Sequence, residues 1–121
     1  VKKVLVADDE EGVREFCRQA LEKKGFKVVT AQNGQEAIAG LDDSFSLILT
    51  DLEMPELDGR ALIKYVRENI GRHIPIILMS WTFNRSGIKY LKFSGVDDYL
   101  VKPFHIKDLM AVINKYKSIL I

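Results

Sequence analysis

Asp8 and Asp9, Asp51, Ser80 and Lys102 each follow directly on a short apolar run. If the fold gathers them, the acids are a problem. Two carboxylates about 4 Å apart repel by ~4 kcal/mol at an effective dielectric of 20. Three such acids at one spot call for a cation. A hard divalent ion with oxygen ligands answers the need, and Mg2+, which keeps several waters, suits a shallow open site. Lys102 adds a fixed positive charge. Three carboxylates, Mg2+ and one ammonium come close to neutral, and such a site can take up a phosphoryl group. Asp51 is then the candidate nucleophile, forming an acyl phosphate. The Ser80 hydroxyl is the candidate hydrogen-bond donor to a phosphoryl oxygen. A plainer reading of each residue stays open. Asp9, Glu10 and Glu11 suit the positive end of a helix dipole, Asp58–Gly59 is ordinary turn chemistry, Ser80 alone is a cap, and Lys102 alone is a surface lysine. The weight lies on the combination, one group after each of four strands.

The elements that must position these groups alternate in a regular rhythm. Apolar runs at residues 4–7, 28–31, 47–50, 74–79 and 97–101 are short and rich in Val, Ile and Leu. Most are apolar at consecutive positions, as strands buried on both faces of a parallel sheet are. Between them lie amphipathic stretches. Val13, Phe16, Cys17, Ala20 and Leu21 share one helical face, with Lys23, Lys24 and then Gly25 closing the helix. Asn33 and Glu36 have capping-box spacing ahead of Ala37, Ile38 and Leu41. Gly59 opens a third helix with Leu62, Ile63, Val66 and Ile70 inward. A weaker fourth, about residues 85–93, contains Gly87. A fifth follows Pro103, with Ile106, Leu109, Ile113 and Tyr116 at helical spacing and His105 at the cap, where Asp, Ser or Asn would serve better. Five strands alternating with five helices predict an α/β fold with right-handed crossovers and helices on both sheet faces. In such open sheets the site lies beyond the carboxyl ends of the strands, where strand order reverses.

Composition sets the outer bounds. The chain has 121 residues, 47% hydrophobic and 29% charged, which suits one globular domain spanning residues 1–121. A formal net charge of +1 gives no global field toward nucleic acid. No apolar run approaches the roughly 20 residues of a membrane helix. The single cysteine, Cys17, is expected in the core, and a chain without a disulfide suits a reducing, cytoplasmic setting.

The stretches "ADDEEGVRE", "LILTDLEMPELDGRALI", "IPIILMS" and "GVDDYLVKPF" resemble, in that order and from end to end, the receiver domain of two-component response regulators. The resemblance implies a flavodoxin-like, doubly wound five-stranded parallel sheet with strand order 2-1-3-4-5 and five helices. It matches Asp51 with the phosphoacceptor, Asp9 with the direct Mg2+ ligand, Asp8 with the acid that reaches the metal through water, and the Glu53 backbone carbonyl with the third protein ligand. Lys102 matches the phosphate-binding lysine, joined to Pro103 by a peptide bond that is normally cis. Ser80 matches the switch hydroxyl and Tyr99 the aromatic that turns inward as the hydroxyl moves. The implied donor is a phosphohistidine on a sensor histidine kinase or a phosphotransfer domain. The implied output surface is the face of the fourth helix, fifth strand and fifth helix, here with Lys89, Lys92, Tyr99 and Lys107, turned toward an effector domain or a target protein. Trp81 departs from the pattern, since Ala or Gly usually follows the switch hydroxyl. An indole there either narrows access to the site or packs outward or over the fourth helix. Glu53 and Thr82 hold positions that tune hydrolysis.

Two other classes fit parts of this pattern. A binding module that keeps the fold without using phosphate would explain Trp81 but not the full set of acids, serine and lysine. A small phosphatase with an aspartyl nucleophile would need a general acid close to Asp51, and Glu53 has the spacing for one. A flavin-binding flavodoxin fits least, because its first loop must accept a phosphate where this chain has four acids.

Overall fold

The computed structural model describes residues 2–81 and 95–116. In chain order these form β1 (Lys3–Ala7), α1 (Glu11–Lys23), β2 (Lys27–Ala31), α2 (Gly34–Gly40), β3 (Phe45–Asp51), α3 (Gly59–Asn69), β4 (Ile76–Ser80), β5 (Asp98–Val101) and α4 (Ile106–Lys115). The helix expected about residues 85–93, with Gly87, Lys89 and Lys92, lies outside the described residues, as does Thr82. The five strands form one parallel sheet in the order β2-β1-β3-β4-β5. The chain leaves β1 toward β2, then crosses back over β1 to β3, and that reversal opens a crevice at the carboxyl ends of β1 and β3.

Successive residues of each strand point to opposite faces, so the sheet separates two cores. Val4, Val6, Leu47, Leu49, Ile77 and Met79 meet α1 and α4 on one face. Leu5, Ala7, Ile48, Ile76 and Leu78 meet α2 and α3 on the other. Burial on both faces holds for β1, β3 and β4. The outer strands β2 and β5 have neighbours on one side only, and Tyr99 and Val101 remain exposed. The strand expected over residues 74–79 starts at Ile76, because Pro75 has no N–H for the ladder and instead accepts from the Ile48 amide at 3.0 Å.

Helix starts follow local chemistry. Asn33 Oδ1 accepts from the Glu36 amide at 2.8 Å, half of the expected capping box. The reciprocal bond runs one residue earlier, from the Gln32 amide to Glu36 at 3.3 Å. Asp58 caps α3 by accepting from the Ala61 amide at 3.1 Å. His105 precedes α4, and its amide donates to Asp108 at 2.9 Å, so the acid is supplied three residues on. Within α4, Leu109, Val112 and Ile113 are buried, whereas Ile106, expected inward, is exposed in the first turn. Gly25 follows α1 at φ +92°, a left-handed conformation that glycine adopts without a Cβ penalty. No helix among the described residues is long and apolar enough to cross a membrane.

Candidate functional site

The carboxyl ends of the strands bring the expected groups to one place. Asp8 follows β1, Asp51 is the last residue of β3, Ser80 the last of β4, and Lys102 comes directly after β5. All four are buried, in a sheet whose other buried residues are almost all apolar. Register fixes their heights: Ala7 pairs with Thr50, Asp51 with Met79, and Ser80 with Val101. The Lys102 amide donates to the Ser80 carbonyl at 2.7 Å, and the Lys102–Pro103 peptide is cis.

Lys102 is the centre of the cluster, with its side chain 1% exposed. Its Nζ lies 2.7 Å from Asp8 Oδ2, 3.2 Å from Glu10 Oε1 and 3.4 Å from Asp51 Oδ2. Asp8 Oδ1 accepts from the Glu10 amide at 2.9 Å, closing the turn into α1, and Arg14 Nη1 donates to the Asp8 carbonyl at 2.7 Å. Among the described residues, Asp51 Oδ1 receives one long contact, 3.4 Å, from the Glu53 amide. Ser80 sits at the end of β4, one strand away from Asp51, and Tyr99 is 43% exposed on β5.

These contacts set the charges. Burial, more than any other effect, raises the Asp8 carboxyl, although Lys102 opposes it. Burial and then the Asp8 charge push Asp51 up to about 6. Burial works against the Lys102 charge, yet Asp8, Asp51 and Glu10 outweigh it and hold this lysine above its ordinary value. Hydrogen bonds from Trp81 and then Lys102 hold Glu10 below the usual carboxylate range.

Asp8, Asp9, Glu10 and Asp51 each place a carboxylate oxygen within 4.8 Å of the others. Asp8 Oδ2 is buried, and the Lys102 ammonium at 2.7 Å is the contact given for it among the described residues. Asp8, Asp9 and Asp51, with Glu10 at their edge on Lys102, set four carboxylates against one ammonium, and that excess of negative oxygen donors fits a hard divalent cation.

Two participants were not singled out from sequence. Glu10 belongs to the acidic run and has no distinguishing spacing of its own, yet it reaches Lys102. Its signal was the acid beside Asp8 and Asp9, which helix-dipole chemistry explained equally well. Gly59 was read as turn and helix start. A Cβ there would stand 2.3 Å from the Asp51 carbonyl oxygen, so α3 packs directly against the backbone of the candidate nucleophile. The Trp81 side chain is 54% exposed, and its Nε1 donates to Glu10 Oε1 at 3.0 Å. Cys17 is in the core as expected, and burial pushes its thiol up to about 12.

A family model described as the response regulator receiver domain matches residues 4–114. The transcriptional regulatory protein ResD of Bacillus subtilis is 38% identical over 109 residues, which are 89% of this chain and 45% of ResD. The chain thus spans about half the length of the curated relatives it matches. The chemotaxis protein CheY4 of Vibrio cholerae superposes with a TM-score of 0.89 at 29% identity, covering 96% of this chain and 98% of that one. The response regulator protein TrrA of Thermotoga maritima, solved in complex with Mg2+ and a beryllium fluoride, superposes at 0.79 with 30% identity, over 96% and 99% of the two chains. With a sheet of this order and a site at its reversal point, the chain belongs to the response regulator receiver domains, the phosphoacceptor modules of two-component signal transduction.

Proposed function

We propose that Asp51 is the phosphoacceptor of this receiver, with Asp8 and Asp9 holding Mg2+ together with the Asp51 carboxylate and the Glu53 carbonyl. The observation that carries the reading is the Asp51 carboxylate, buried at the end of β3 and 3.4 Å from the Lys102 ammonium, with three other acids around it. The donor is a phosphohistidine of a sensor histidine kinase or phosphotransfer domain. An Asp51 oxygen attacks phosphorus and the O–P bond forms. The donor's P–N bond breaks, and its electron pair leaves on the imidazole nitrogen, which takes up a proton. When bound, Mg2+ supplies charge neutralisation at the phosphoryl oxygens. Lys102 stabilises the charge on the transferring group from its fixed place after β5. Water later attacks phosphorus, the acyl-phosphate O–P bond breaks, and the Asp51 carboxylate and inorganic phosphate are restored. The chain catalyses only these two reactions on itself, in the cytoplasm.

Phosphorylation takes the Asp51 side chain from one negative charge toward two, on the strand beside Ser80. The Ser80 hydroxyl then turns toward a phosphoryl oxygen, and Tyr99, outward in this structure, turns into the space released. The face around β5 and the last helix, with Lys107, is read by an effector domain or a target protein. Incubation with Mg2+ and labelled phosphoramidate or acetyl phosphate tests the assignment. The parent takes up label that is lost on mild alkaline hydrolysis. Asp51→Asn takes up none, and equal labelling of the two proteins overturns the reading.

A further inference from the structure

Glu10 is in an unusual position for an N-cap acid. Its carboxylate caps no amide of α1, and Lys102 already has Asp8 and Asp51 as partners. Glu10 Oε1 instead accepts two hydrogen bonds from distant chain segments, one from Trp81 Nε1 at 3.0 Å and one from Lys102 Nζ at 3.2 Å. The Lys102 ammonium also lies 5.8 Å from the centroid of the Trp81 ring. The start of α1 and the end of β4 are thereby tied together across the lysine, beside a cleft of about 150 Å³ that Phe16, Pro103 and Phe104 also line. The ammonium is buried, while both of its covers, Glu10 and Trp81, are exposed at the mouth.

Resting on the phosphoacceptor reading above, we infer that Glu10 and Trp81 form a latch that occupies the Lys102 ammonium beside Asp51, so that an incoming phosphoryl group must displace Glu10 from it, which slows phosphorylation of Asp51. A phosphoryl group on Asp51 competes with Glu10 for the same ammonium, and its charge repels the Glu10 carboxylate. Once the ammonium turns to the phosphoryl group, Glu10 loses one of its two donors, and the indole is released from the mouth. Glu10 is thus a positioning residue: it acts through Lys102 and Trp81 and does not touch the reacting atoms.

The test follows acyl-phosphate formation from phosphoramidate and Mg2+ on phosphate-affinity gels, in the parent, Glu10→Ala, Trp81→Phe and the double variant. Trp81→Phe keeps an aromatic ring and removes the N–H together with part of the indole. Opening a bond of ordinary net strength predicts a rate increase of roughly two- to tenfold in each single variant. Because both changes open one latch, the double variant is no faster than the faster single one, within about twofold. Urea unfolding confirms that the variants are folded, and a loss of stability alone would not raise the rate. Rates at or below the parent's in both single variants overturn the latch, and so does a double variant whose increase equals the product of the two. In those cases labelling of the parent and not of Asp51→Asn leaves the phosphoacceptor reading standing. A parent that takes no label at all removes both.

Discussion

Asp51 has its side chain 7% exposed, next to a second buried acid, and shares one ammonium with it. With its carboxyl pushed up to about 6 from the ordinary carboxylate range, the metal-free folded state binds a proton more firmly than the unfolded chain between those values. The stability contributed by Asp51 is fully present below that window and is lost as pH rises through it. In EDTA at pH 7.5, Asp51→Asn is therefore expected to be more stable than the parent by on the order of 1–3 kcal/mol. The advantage shrinks as the pH is lowered toward 4. Urea titrations at several pH values measure it, and a destabilised Asn variant at neutral pH would contradict the assignment of burial as the dominant force on this carboxyl.

At the scale of elements, one junction packs against the site and another ties the far end of the sheet. Gly59 lets the first turn of α3 rest on the Asp51 carbonyl, where a Cβ would intrude to 2.3 Å. Gly59→Ala is expected to cost about 1–3 kcal/mol through overpacking and to slow phosphoramidate labelling, because relief of the clash moves the end of β3. Unfolding midpoints and labelling rates check the two effects separately. At the opposite end of the sheet, Arg67 of α3 donates to the carbonyls of Gly95, Gly71 and Ile74 and to Asp97, which in turn accepts from the Ile76 amide. One guanidinium thus ties α3 to the starts of β4 and β5. Arg67→Ala strands three carbonyls and is expected to cost roughly 2–4 kcal/mol, read as a lowered urea midpoint. That junction lies far from the acids, so Mg2+ affinity stays near the parent's.

Over the whole molecule, the two cores clamp a sheet whose central strands end in charge. The fold holds repelling acids in place, and an ion that binds only the folded arrangement returns stability. Mg2+ at ten times its dissociation constant is expected to stabilise the protein by about 1.4 kcal/mol. Thermal melts with and without the ion measure this. The gain largely disappears in Asp9→Ala, whereas an equal gain there would place the ion elsewhere.

The alternation of apolar runs with amphipathic stretches was legible in the sequence, because side-chain period and turn chemistry are local properties. So were Asp8, Asp51, Ser80 and Lys102, since each directly ends or follows a buried run. Strand order came from resemblance alone, as nothing in the periodicity of β2 says on which side of β1 it pairs. Only the tertiary structure decided the partners of Glu10. Its contacts with Trp81 and Lys102 span 71 and 92 positions, and no local pattern encodes a hydrogen bond across that distance. The same holds for Gly59, whose need to be glycine arises from the Asp51 carbonyl that packing sets against it.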